Sequence, residues 1–368
     1  MKLGEAISWI MGTLQRGLFP KLEECWHTPL TEKEQQLVKI LELIRIEKFV
    51  PRRACDQHMG RKVREREAIA RSFVAKAVYG FPHTRRLLEA LKTTPSLRRI
   101  RGFERVSSVP SESTFSRAFA DFAKSKLGER VHNAMVEDKL KPELIGHISR
   151  DATAIDGREK PRKKAAKPKA EPKKRGRPAK GEKREPKEPT RLERQLGQTA
   201  EESLAELPAW CDVGTKKNSK GYKETWIGYK LHADVNDCGL PISLALTAAS
   251  LHDSQVAIPL MKMSSAKVDY LYDVMDAAYD AGPIYEVSRS LGHVPIIDKN
   301  ARGKEVVPMA PHEAERYNER TVVERFNSRI KEEFGGDNVM VRGAPKVMMH
   351  LMFGVLALFA DHLIKLAT

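Results

Sequence analysis

The chain has 368 residues, 41% of them hydrophobic, and a formal net charge of +16. That length supports a large core and favours two domains over one, and the hydrophobic share is ordinary for a water-soluble fold. The four cysteines, Cys25, Cys55, Cys211 and Cys238, form no CxxC pair, which argues against a zinc site or a disulfide framework and fits a reducing cytoplasm.

The charge is concentrated in two blocks. Residues 52–120 hold 16 Lys/Arg against 6 Asp/Glu, and residues 158–194 hold 17 against 6, on a mildly acidic remainder. Two basic blocks point to a polyanionic partner such as nucleic acid, where an even solubilising surface would spread its charge.

Residues 1–140 read as mostly helical. Residues 1–20 lack the continuous apolar core of a secretory signal. Residues 31–46 place Leu37, Ile40, Leu41 and Ile44 at helical spacing, and residues 69–79 and 83–91 predict two more helices. A further helix opens after Pro110, capped by Ser111 or Ser113, with Phe115, Ala118, Phe119 and Phe122 on one stripe. Arg117 and Lys124 fall off that stripe, toward water or a phosphate. Short helices with this charge suit a helix-turn-helix-like DNA-binding domain. A plain bundle with solvated basic residues would carry the same pattern.

Residues 141–157 and 201–343 predict a discontinuous α/β domain, a mixed sheet with flanking helices. A short strand over 145–150 ends at Asp151. Residues 226–235 and 241–247 alternate and are joined by a turn at 236–239, a hairpin. Strands follow at 268–276 and 294–297, then one helix over 316–333. No Gly-rich phosphate loop is present, which leaves nucleotide-driven chemistry without support. Between the two parts, residues 158–200 are rich in lysine and proline and nearly free of large apolar side chains, which predicts a disordered basic insertion. Inside it, Arg175-Gly176-Arg177-Pro178 resembles the AT-hook core, whose arginines enter a narrow A·T minor groove; an ordinary charged linker is the alternative. The apolar run 347–360, broken by His350, is short for a span of about 18–20 residues. It predicts a buried helix, with residues 344–368 packing on the α/β domain and no membrane partner.

At about 100° per residue, Tyr317, Arg320, Glu324 and Lys331 fall within an arc of roughly 60°, opposite Val322, Val323, Phe326 and Ile330. A solvated charged face would account for them. One carboxylate between two cations, with a tyrosine in line, also suits a metal ligand flanked by phosphate-binding groups. Asp151 and Asp276 leave predicted strands and can converge on the same point. Such hard oxygen ligands fit Mg²⁺, with Mn²⁺ as a substitute, for phosphodiester displacement.

These residues carry a family resemblance. Residues 317–331 match Tyr-x2-Arg-x3-Glu-x6-Lys at every position, Asp151-Ala-Thr and Asp276-Ala-Ala-Tyr-Asp resemble two acidic motifs, and Gly228-Tyr-Lys-Leu-His232, Gly239-Leu-Pro and His252-Asp-Ser lie between them. The chain resembles a DDE transposase of the bacterial insertion-sequence type over residues 141–360, with a weaker echo in 70–123. The resemblance implies an RNase H-like fold and a divalent metal bound by the catalytic residues Asp151, Asp276 and Glu324. It also implies contacts from Tyr317, Arg320 and Lys331 to transposon-end DNA. Among the neighbouring acids, Asp156 and Asp273 are alternatives, and Asp280 fits a structural position. His252 and Asp253 are either supporting groups behind the ligands or packing residues. Implied partners are double-stranded DNA, both terminal inverted repeats and target, and a second copy of the chain in the synaptic complex, in a cytoplasmic, nucleoid-associated setting. A catalytically silent DNA-binding protein and a nuclease without strand transfer are the alternatives.

Overall fold

The computed structural model describes residues 29–50, 66–163, 188–217, 220–301, 305 and 308–367. Arg175, Arg177, Cys25 and Cys55 lie outside them.

The N-terminal part is helical: α1 (Glu32–Ile44), α2 (Arg66–Val78), α3 (Thr84–Thr93), α4 (Pro95–Ile100), α5 (Glu112–Lys124) and α6 (Leu127–Lys139). Helix α1 begins where its sequence signals it. Thr31 accepts from the Glu34 N–H, and the Glu34 carboxylate reaches back to the Thr31 N–H at 2.9 Å, a reciprocal cap. Its buried residues include the expected Leu37, Ile40, Leu41 and Ile44. In α5 the expected stripe is buried and Ser111 holds the N-cap position. Its hydroxyl instead meets those of Ser113 and Thr114, so the expected cap bond is absent.

Six strands follow: β1 (Leu144–Asp156), β2 (Asp212–Lys217), β3 (Lys223–Asn236), β4 (Pro241–Ala248), β5 (Asp269–Met275) and β6 (Val294–Ile297). They form one sheet in the order β2-β3-β1-β5-β6, with β4 paired to β3. Strand β1 runs antiparallel to β3 and parallel to β5, and β5 is parallel to β6, so the sheet is mixed. The β3–β4 hairpin turns at Gly239, whose φ of 85° is a left-handed value that glycine tolerates.

Helices cover both faces. Helix α9 (Ser254–Ser265) and α10 (Gly282–Ser290) bury Ile258, Met261, Ile284 and Val287 with Met275 and Ile297 of the sheet. On the other face lie α12 (Thr321–Glu332), against β1 and β3, and α13 (Ala344–Leu366). Helix α13 has 23 residues and is long and apolar enough to cross a membrane, yet most of its apolar window is buried inside the protein. It touches β4 and α12, but it also packs on α1, α2, α5 and α6. Phe353 stacks on Phe73 at 5.3 Å, and a Cβ on Gly128 would stand 2.4 Å from the Met352 Cβ. A helix apolar all round needs partners on every side. It therefore joins the N-terminal helices and the sheet into one continuous core, where the sequence suggested packing on the catalytic part.

Two further expectations change. Residues 158–200 are not without structure throughout: α7 (Arg191–Leu196) and α8 (Ala200–Ala205) each carry a Thr-x-x-Glu capping box, at Thr190 and Thr199, and pack on α9. The single helix expected over 316–333 is two, α11 (Pro311–Asn318) and α12, with the break at Glu319–Arg320.

Candidate active site

The site begins with register. Arg150 of β1 pairs with Met275 of β5, two parallel strands, so Asp151 and Asp276 are the next residue on each. They stand side by side where the pairing ends. Strand β1 does not end at Asp151, as the sequence suggested; it continues to Asp156 because β3 pairs with it along that whole length.

Beneath Asp151 lies a buried ionic network. Arg150, 1% exposed, donates to both carboxylate oxygens of Asp234 at 2.7 Å and to Asp273 at 3.4 Å. Ser264 and Ser288 donate to the same two acids. Burial opposes the Arg150 charge, but Asp234 and Asp273 outweigh it and hold its pKa up. This network occupies Asp273 and removes it as an alternative ligand. Asp156 is exposed at the far end of β1, about 17 Å along the strand from Asp151. Asp280 accepts from Tyr285 and the Asn300 N–H, a structural role.

Asp151 is a strained acid. Burial raises its pKa to about 6, the Ala152 N–H and Arg320 pull it down, and Asp276 and Asp253 push it up. Asp276 caps a short turn by accepting the Ala278 N–H at 2.9 Å. Its pKa is also raised, first by burial and then by Asp253 and Asp298 against the pull of Ala278 and Arg320. Two desolvated carboxylates, both raised further by Asp253, are the kind of oxygen donors a hard divalent cation takes.

Helix α12 presents Arg320, Glu324 and Asn327 to this edge. Arg320 binds Glu324 at 2.5 Å and lies near Asp151, and it also stacks over Tyr317. Glu324 is half exposed and held by Arg320. Among the described residues, no three His, Cys, Asp or Glu side chains gather closely enough to hold a metal ion. The structure therefore brings Asp151 and Asp276 together and leaves Glu324 on the arginine. Tyr317, on α11, and Lys331, on α12, are partly buried, and Arg117 is exposed on α5.

Four groups around these acids carry no site role in the sequence reading, although Tyr279 and Lys230 lie inside motifs quoted there. Asn327 donates to Asp151 at 3.1 Å, and its buried Oδ1 has no partner. It sits at i+3 from Glu324, about 20° outside the arc of the four polar residues, at its edge. Tyr279 is 1% exposed with an unpartnered hydroxyl; burial and then Asp253, Asp151 and Asp276 raise its pKa. Asp298 follows β6 and adds to the field at Asp276. Lys230 of β3 holds Asp253 at 2.7 Å. Asp253 thus stands beside the pair, while His252 is exposed and bonded to Ser254 at 2.8 Å.

Two family models of known proteins match the chain. Residues 147–360, well over half the chain, match the family model described as Transposase DDE domain. Residues 26–121 match a second, described as Transposase domain (DUF772). No curated protein matches the chain.

Proposed function

We propose that this chain, which belongs to the transposase DDE domain family, cuts DNA at the ends of its own mobile element and joins the freed 3′-OH to target DNA. The observation that carries this reading is the register that sets Asp151 and Asp276 side by side where the parallel β1–β5 pairing ends, facing α12. The sheet order, with an antiparallel β4-β3-β1 unit followed by parallel β5 and β6, supports an RNase H-like fold.

Asp151 and Asp276, with Glu324 once Arg320 releases it, are the residues that would hold Mg²⁺ or Mn²⁺. The chemistry such an ion supplies when bound is activation of a water or 3′-hydroxyl and stabilisation of the leaving oxygen. Asn327 fixes the Asp151 carboxylate from α12. Asp253, paired with Lys230, adds negative field behind the pair. Freed from Glu324, Arg320 turns to a phosphate, and Tyr317 and Lys331 flank it on the same edge. The N-terminal helices, with Arg117 on their surface, and the Arg175–Arg177 segment supply sequence-dependent and sequence-independent grip on DNA. Pairing two ends calls for a second copy of the chain.

The test is cleavage of a duplex carrying the element's own terminal repeat. Mg²⁺-dependent nicking at the repeat boundary, absent from Asp151→Asn and Asp276→Asn chains that still bind the duplex, supports the reading. Equal nicking in chelator, or by both variants, overturns it.

A further inference from the structure

A cavity of about 490 Å³ opens between α2, α5, the start of α13 and the chain leaving β1. Phe73 and Phe119 give it an apolar floor, and Lys76, Arg158, Arg342 and Lys346 line it. Among the described lining residues, Glu112 is the one carboxylate, and it pairs with Arg85 at 3.7 Å.

Lys76 is the informative group. It lies on α2, 8% exposed, and no charged group offsets the burial of its ammonium. Burial lowers its pKa to about 8, so it remains mainly charged at neutral pH. His350 beside it offers no counter-charge: burial and then Lys76 lower its pKa to about 4, and its Nε2–H donates to the Gly335 carbonyl at 2.9 Å. A buried cation without a counter-ion is costly, and a ligand anion removes that cost. The first turn of α13 adds the positive end of a 23-residue helix to the same wall.

The walls are preformed. Arg342 donates to the Arg158 carbonyl at 3.1 Å, and the Gly343 N–H to Glu159 at 3.0 Å, with Tyr229 on the same carboxylate. From Asp151 the strand runs five residues to Asp156, and Arg158 follows two later. The cavity thus stands about 20 Å from the strand-end acids, near six base-pair rises of B-form DNA.

We propose that this cavity binds a phosphodiester group of duplex DNA, with Lys76 as the buried counter-ion and Arg342 and Lys346 at the mouth. It rests on DNA being the substrate of the strand-end site and adds a second point at which one duplex is held. The volume exceeds a bare phosphate and admits the flanking sugar.

Binding of the full chain to a duplex bearing its element end, followed by fluorescence anisotropy across a salt series, tests this. Lys76→Met should lower the slope of log K against log salt by about 0.9, one phosphate contact, and weaken low-salt binding about tenfold. Its thermal midpoint should stay level or rise, because an unpaired buried charge has gone. Lys346→Gln, on an exposed side chain, should shift binding the same way by less, and it keeps the test alive if Lys76→Met does not fold. A wild-type slope in both variants overturns the proposal, as does a lowered midpoint with unchanged binding, which assigns Lys76 to packing. Displacement of the duplex by micromolar deoxynucleoside monophosphate, lost in Lys76→Met, also overturns it in favour of a mononucleotide site. If the wild-type chain binds no duplex, the reading of the strand-end site falls with it; wild-type binding with an unaltered variant slope sinks this proposal alone.

Discussion

Replacing Arg150 with methionine should cost about 3–5 kcal/mol, the range for breaking a buried ion pair from one side. The structure gives the reason for the upper part of that range. Arg150 is 1% exposed, and Asp234 and Asp273 are 0% exposed, so neither acid can turn to water when the guanidinium goes. Asp234 would lose two 2.7 Å bonds and Asp273 one of 3.4 Å. Methionine fills most of the volume, so the loss is electrostatic rather than a cavity effect. Urea unfolding followed by far-ultraviolet circular dichroism at pH 7 measures the cost. A second arm fixes the cause: the orphaned acids would take up protons, so the deficit relative to wild type should shrink between pH 7 and pH 5.5. The double variant Arg150→Met/Asp234→Leu should lose less than the two single losses combined. A deficit under about 1 kcal/mol, or one independent of pH, would refute the network's role, since intact burial of unpaired acids is what the magnitude rests on.

Other outcomes follow from the same structure. His132 and His232 are buried and neutral, with pKa values lowered by burial to about 3 and about 4. The unfolded chain protonates them from about pH 6.5 downward, so stability present above that pH is lost as pH falls. Each should cost about 2 kcal/mol at pH 5, and His132→Gln should flatten the pH 7-to-5 stability difference by about that amount; an unchanged slope would contradict the neutral assignment. Asn327→Ala, which removes the 3.1 Å bond to Asp151, should cut end cleavage about 10- to 100-fold and raise the Mg²⁺ requirement. Wild-type cleavage at limiting Mg²⁺ would show that Asn327 does not position Asp151.

Much of the sheet, and the placing of Asp151 and Asp276 next to each other on β1 and after β5, was legible because alternation and motif order act locally. The hairpin at 236–239 and the stripes of α1 and α5 follow from period and turn chemistry alone. What escaped depends on partners distant in sequence. Asp151 looks like a strand end when only β5 is considered, and it is mid-strand because β3 keeps pairing with it. The break at Glu319–Arg320 interrupts a pattern whose spacing still reads as one helix, so the wheel put Tyr317 on a helix it does not share with Glu324. Asn327 was overlooked because a neutral amide carries no charge signal and its angle falls about 20° outside the polar arc. The capping boxes at Thr190 and Thr199 were visible in the sequence, but a lysine- and proline-rich composition nearby masked them. The role of α13 as the link between helices and sheet needed the fold, since an apolar run does not say which surfaces surround it.

The central claim is that Asp151, Asp276 and Glu324 act together on a phosphodiester. Its most direct measurement supplies pre-cut element ends with free 3′-OH, supercoiled target DNA and Mg²⁺, and scores joined product. The account predicts joining by the wild-type chain and a loss of at least about 10³-fold in Asp276→Ala and Glu324→Ala chains with end binding intact. Joined product at wild-type levels from either variant would contradict it.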